Sequence, residues 1–284
     1  MIFDTHTHYD DEAFDADRED ILSGLYSHGI GLAAGIGVDV DTCKKTLELA
    51  EKYDFLYAVL GFHPSDVLGM DGTELDWLKD TISSELKKRN DINKSDKVGR
   101  DADGDTPVSH RGTKLVAIGE IGLDYHWAKE DKEHITQQKW LRDQIALAKE
   151  ASLPIVIHSR DAAADTMRIL KEENAGINGG IIHCYSYSPD QAVEYVKMGF
   201  DIGVGGVVTF KNSRRLKETV EVIPLGHIVL ETDCPYMAPE PYRGKRNDST
   251  YLPYVVDAIA AIKGIDRQTV IDRTTENAMR VYRL

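Results

Sequence analysis

The sequence predicts an α/β protein, a (β/α)8 TIM barrel with a binuclear metal site at the C-terminal ends of its strands. Three observations carry the fold: eight short β-branched segments, amphipathic stretches between them, and about 250 residues given to the alternation. In order, the expected strands are Ile2 to His8, Ile30 to Val38, Tyr57 to His63, Leu115 to Glu120, Pro154 to His158, Gly180 to Cys184, Phe200 to Gly206 and Ile228 to Asp233. Their near-continuous apolar character suits a parallel sheet covered on both faces. A doubly wound sheet is the alternative, because periodicity alone does not show closure.

The helical patterns follow the same order. From His134 to Glu150, Ile135, Leu141, Ile145 and Ala148 are expected on one face. The last helix is placed after Ser249 and Thr250 as candidate N-caps, with Pro253 in its first turn and an apolar stripe of Leu252, Val255, Val256, Ile259 and Ile262. Lys87 to Thr113 interrupts the alternation with a polar run rich in Gly, Asp, Lys and Asn, read as a mobile surface insertion of residues 87–113. Its Asp101, Asp103 and Asp105 resemble a calcium loop, but the EF-hand spacing and terminal glutamate are missing. With no internal repeat or linker, residues 1–284 are expected to form one domain.

Composition limits the function classes. With 42% apolar and 29% charged residues, disorder, collagen-like repeats and a disulfide-stapled mini-fold are excluded. No apolar run reaches the ~18 to 20 residues of a membrane span, and Met1 to His8 is too polar for a signal peptide, so a cytoplasmic location without membrane association is expected. Cys43, Cys184 and Cys234 are odd in number and lack C-x-x-C spacing, which points to free thiols. The net charge of −14 (34 basic, 48 acidic residues) opposes broad adhesion to nucleic acid or acidic lipid, so a polyanion would need local cations or a metal. Nothing calls for an obligate protein partner.

The histidines and carboxylates fall at one end of the predicted strands. His6 and His8 are two residues apart, so strand alternation points both imidazoles the same way. Glu120 closes the fourth segment, His158 the fifth, His183 lies in the sixth, and Asp233 ends the eighth. Six nitrogen and oxygen donors exceed what one tetrahedral ion needs. A pair of divalent ions about 3.5 to 4 Å apart, bridged by Glu120, is more economical. Cys184 and Cys234, each one residue beyond a proposed ligand, should by alternation point into the strand–helix layer. Imidazole donors suit Zn, Mn, Co or Ni, and the carboxylates admit Mg.

Several segments carry a resemblance: Phe3-Asp4-Thr5-His6-Thr7-His8, Gly61-Phe62-His63-Pro64, Gly119-Glu120-Ile121-Gly122-Leu123-Asp124-Tyr125, Pro154 to Arg160, Ile182-His183-Cys184-Tyr185-Ser186, Gly205 to Phe210, Glu231 to Tyr236 and Pro241 to Asn247. In that order they resemble the TatD family of metal-dependent deoxyribonucleases of the amidohydrolase superfamily. The resemblance implies a TIM barrel and two divalent ions, one held by His6, His8, Glu120 and Asp233 and the other by Glu120, His158 and His183. Two departures stand out. Tyr185 and Tyr187 replace the usual aromatic and glycine of Cys-Phe-Ser-Gly, which should narrow the local space, and the 87–113 insertion is atypical.

Other polar residues near the strand ends are candidate substrate contacts. His63 and Arg160 are placed to approach a phosphate, although His63 could brace the turn before Pro64 and Arg160 could pair with Asp161. Arg243-Gly244-Lys245-Arg246 is the one compact cationic patch, with Arg243 the candidate phosphate contact after the eighth strand. Asp124 orients a ligand or caps the next loop. The reading is therefore a metal-dependent phosphodiesterase acting on DNA ends or oligonucleotides, an exonuclease in which Asp233 is the general base for a metal-activated water. The alternatives are a hydrolase of an amide, ester or aminoacyl linkage and a non-enzymatic barrel stabilised by metal.

Overall fold

The computed structural model describes residues 1–95 and 113–284. Eight strands, β1 (Ile2–Thr7), β2 (Ile30–Gly37), β3 (Leu56–Leu60), β4 (Leu115–Asp124), β5 (Ile155–Arg160), β6 (Gly180–Ile182), β7 (Phe200–Val204) and β8 (Ile228–Leu230), pair in sequence order, all parallel. The last meets the first: His8 N–H donates to Cys234 O (2.9 Å) and Asp233 N–H to His6 O (3.0 Å). The sheet is thus a nearly closed barrel.

Around it lie α1 (Arg18–Gly24), α2 (Val40–Lys52), α3 (Thr73–Ser95), α4 (Asp131–Glu150), α5 (Ala163–Glu172), α6 (Pro189–Lys197), α7 (Arg214–Val222), α8 (Leu252–Lys263) and α9 (Arg267–Tyr282). Two buried apolar clusters follow from that arrangement. The larger packs strands against helices. The smaller includes Phe3, Ile36, Val59, Val156, Ile181 and Val229, and its only helical members are Ala278, Val281 and Tyr282 of α9. A cluster drawn from the strands but from no other helix is the barrel interior, and α9 plugs its N-terminal end. There the Tyr282 hydroxyl donates to Thr5 O (2.8 Å), and Arg283 donates to Asn178 O (3.1 Å) just before β6.

Four sequence expectations are corrected. Residues 87–95 are not insertion but the end of α3, and Thr113 is buried with its hydroxyl donating to Glu85 Oε2 (2.8 Å). The rest of that expected insertion, with Asp101, Asp103 and Asp105, lies outside the described residues. Ile135 is exposed, because buried Gln137 and Gln144 occupy the inner face of α4 beside Leu141, Ile145 and Ala148. These amides are satisfied by backbone: Gln144 pairs with Phe62 N and O, and Gln137 accepts from Asp124 N–H and donates to Pro64 O. Ser249 and Thr250 do not cap α8 but form a single 3-10 turn capped by Asp248, and α8 is followed by α9. The sequence reading missed α9 because Thr274 and Asn277 are among its buried positions, breaking the apolar stripe.

Candidate metal centre

Local irregularities in the strands place the donors. The register of β1 against β2 slips between Asp4 and Thr7, and that of β4 against β5 slips between Ile118 and Ile121. His6 lies in the first slip and Glu120 in the second, so simple alternation does not fix either side chain. Glu120 is also not terminal, as expected, but midway along β4, which continues to Asp124. Likewise β5 passes His158 and ends at Arg160, while His8, His183 and Asp233 lie just beyond their strands. Gly122 permits the close approach of β4 to β5, since a Cβ there would sit 1.9 Å from His158 O. Buried Asp4 braces the β1–β8 seam: its carboxylate accepts from the hydroxyls of Thr232 (2.7 Å) and Ser249 (2.6 Å) and from Thr232 N–H (3.0 Å).

The six expected donors are brought together. Glu120 Oε2 lies 3.2 Å from His6 Nε2 and 3.9 Å from His8 Nε2, while Oε1 lies 2.6 Å from His158 Nδ1 and 3.9 Å from His183 Nε2. The two oxygens of one carboxylate therefore face two sets of imidazoles. Asp233 Oδ1 completes the ring, 3.5 Å from His8, 3.6 Å from His183 and 3.9 Å from His6. The His6 and His183 rings stack at 3.5 Å between centroids. Among the described residues, four compact donor groups are His6–His8–Asp233, His63–Glu120–His158, His6–His183–Glu231 and His183–Cys184–Asp233.

Electrostatics and satisfaction both fit a cation. Glu120 and Asp233 form no ion pair with Lys or Arg among the described residues; their nearest basic groups are imidazoles. Burial raises the proton affinity of both carboxyls, yet the surrounding histidines outweigh it and hold Glu120 well below, and Asp233 below, the usual range. Conversely, burial opposes charge on the histidines, but neighbouring carboxylates push His8 and His158 up to about 9 and His183 to about 10. Burial, with His158 alongside, takes His63 down to about 4. Buried His6 Nδ1 and His158 Nε2 have no hydrogen-bond partner. A centre of negative charge offset only by imidazoles, with orphaned ring nitrogens, has the donor chemistry of a divalent-ion site.

The sequence reading missed Glu231. Fully buried, it sets Oε2 3.0 Å from His183 Nδ1 and accepts from Cys184 N–H at Oε1 (2.7 Å), so it orients the imidazole from behind. Its position two residues before Asp233 was the available signal. Of the two roles open to Asp124 the turn cap is made, by Oδ1, while Oδ2 lies 3.4 Å from His158 Nε2 without a hydrogen bond to it. Cys184 is a correction. Its φ of +45° breaks the alternation, and its thiol joins His183 and Asp233 rather than the strand–helix layer, whereas Cys234 packs into that layer as expected.

The substrate candidates divide. His63 Nε2 is 3.9 Å from Glu120 Oε1, inside the donor cluster. Arg160 does not pair with Asp161, which takes His126 instead (3.1 Å), and its guanidinium lies over Trp127. Arg243 is exposed over the Phe210 ring with no ion pair among the described residues. The cationic patch is smaller than expected, because Arg246 is bound by Asp17 (2.5 Å). Tyr185 turns into the core, so it does not narrow the site, and Tyr187 lies with its hydroxyl 3.0 Å from Ser159 Oγ.

Comparisons with known proteins give the family and bear out the fold. The family model described as TatD related DNase matches residues 3–283. A Bacillus subtilis protein, the uncharacterized metal-dependent hydrolase YabD, is 40% identical over 284 residues, covering 100% of both chains. The uncharacterized metal-dependent hydrolase TatD of Mycobacterium tuberculosis is 30% identical, covering 99% of this chain and 97% of its own. Among solved structures, the TatD homologue YjjV of Escherichia coli superposes with a TM-score of 0.85 at 27% identity, covering 100% of this chain and 98% of that one.

Proposed function

Because the chain belongs to the TatD-related DNase family and is a metal-dependent hydrolase, we propose that it cleaves phosphodiester bonds of DNA as an exonuclease acting on strand ends. The observation that carries this reading is the pair of arginines, Arg160 and Arg243, that no carboxylate among the described residues neutralises, in a chain of net charge −14. A neutral substrate would have no use for them, whereas a phosphate would.

Two divalent ions held by His6, His8, Glu120, His158, His183 and Asp233 would activate water and draw charge from the non-bridging oxygens. The residues do the rest. Glu120, with one oxygen toward each imidazole set, would be the ligand shared between them. Asp233 stays ionised at neutral pH and accepts the proton of the attacking water. Glu231 holds His183 in orientation, and the Asp124 carboxylate lies beside His158. Arg243 binds a substrate phosphate, a contact that carries no sequence information. The test is digestion of end-labelled single- and double-stranded DNA by protein loaded with Mg, Mn, Zn, Co or Ni, beside a neutral ester. Hydrolysis of the ester alone would transfer the site to a carbonyl-cleaving hydrolase.

A further inference from the structure

The three tryptophans differ in exposure. Trp140 is buried and Trp77 partly so, but Trp127 is 68% exposed. It stands in the turn after β4, and that turn is firmly held. Asp124 Oδ1 accepts from the N–H groups of His126 (2.8 Å) and Trp127 (3.1 Å), and Ala128 N–H donates to Asp124 O (3.3 Å). The same carboxylate sets its other oxygen 3.4 Å from His158 Nε2. One side chain thus holds the backbone of the turn that carries the exposed indole and stands beside a histidine of the donor cluster.

Arg160 completes the arrangement. It is paired with Asp124 across the β4–β5 ladder, two residues beyond His158, so it lies about 6.6 Å farther along the strand on the same face. Its guanidinium carbon is 5.8 Å from the Trp127 ring centroid. An exposed cation over a flat π-surface therefore stands two residues along the strand from His158 of the donor cluster. The ligand chemistry that uses both is a nucleotide, with an anion for Arg160 and a planar base for the indole.

We infer that Trp127 and Arg160 form a nucleobase-stacking shelf at the mouth of the barrel, on which the base beside the reacting phosphate lies. The inference rests on the phosphodiesterase reading and adds a residue to it. Every base has a π-face, so the shelf is indifferent to sequence.

Tryptophan emission provides a test that needs no turnover. In EDTA, an oligothymidylate should quench wild-type emission, and the quench should vanish in Trp127→Phe. With metal, Trp127→Ala should lower kcat/KM for the oligonucleotide about tenfold or more, and Trp127→Phe should restore most of it. The penalty for replacing the bases by tetrahydrofuran abasic spacers, clear in wild type, should disappear in Trp127→Ala. Hydrolysis of DNA without quenching, or an undiminished abasic penalty in Trp127→Ala, overturns the shelf and leaves the nuclease reading standing. Quenching without hydrolysis in any metal supports the shelf and overturns the nuclease reading. Neither quenching nor hydrolysis overturns both.

Discussion

The two ends of this barrel are built on opposite principles. At the N-terminal end, Phe3, Val281 and Tyr282 close the interior with apolar contact, and the buried polar groups that α9 brings there are satisfied, the Tyr282 hydroxyl by Thr5 O and the Asn277 amide by Leu225 O and Ile228 O. At the C-terminal end, five histidines and several carboxylates are crowded within a few ångströms, and two ring nitrogens have no partner. The first end is optimised for folding. The second keeps frustrated charge that only a ligand can relieve, and it is tolerable because the rest of the barrel holds it in place.

This contrast can be broken at either end. The largest effect is expected from Glu120→Ala, which should empty both metal positions and lower turnover by at least roughly a thousandfold. His158→Ala should mainly deplete one. Elemental analysis that found equal, independent losses in the two variants would remove the bridging role. At the opposite end, Tyr282→Ala should cost about 3 to 5 kcal/mol of stability while leaving metal stoichiometry unchanged in the folded fraction. Chemical denaturation with metal analysis checks this, and a loss of metal without a loss of stability would mean that the two ends are not separable.

Arg243→Ala should leave fold and metals intact but weaken DNA turnover by about 1.5 to 3 kcal/mol, roughly ten- to 150-fold in kcat/KM. A neutral ester should be hydrolysed equally by both proteins, so an equal loss on ester and oligonucleotide would exclude a phosphate contact. The smallest effect is a slope with pH. In metal-free protein His8, His158 and His183 titrate above the ordinary 6.5, so their contribution to stability is complete below pH 6.5 and is lost as pH rises through about 9 to 10. Metal binding needs neutral imidazoles, so affinity should rise over the same window with release of protons. In thermal unfolding, the stability of the apo protein should therefore fall with pH across that window, by up to about 1.4 kcal/mol per pH unit for each group, while that of the metal-loaded protein, whose imidazoles are neutral both folded and unfolded there, should stay nearly level. Parallel slopes would show that the histidines do not carry the protons.

The sequence revealed most where a residue's job depends on its strand. Eight segments and their order were legible because β-branched runs report burial directly, and the six expected donors converge because all lie near one end of those strands. What it did not reveal depends on backbone detail. Cys184 reaches the site through a positive φ that periodicity does not encode. Glu231 acts from behind His183, and a buried carboxylate in an apolar strand looks the same whether it faces a metal or an imidazole. In α4 and α9, buried Gln137, Gln144 and Asn277 satisfy backbone groups inside the core, so polar letters stood where an apolar stripe was expected.

The β1–β8 seam has a consequence for biosynthesis. His6 and Asp233, which share the centre, are separated by 227 residues of chain. At about 5 to 20 residues per second, a ribosome needs roughly ten to 45 s to make the second after the first. Throughout that interval β1 has β2 beside it but an unpaired outer edge, the kind of strand that recruits other chains. Nascent chains arrested before β8 are therefore expected to be held by chaperones that release chains arrested after α9 has cleared the tunnel. Equal chaperone occupancy at the two arrest points would show that the open edge is protected by the chain itself.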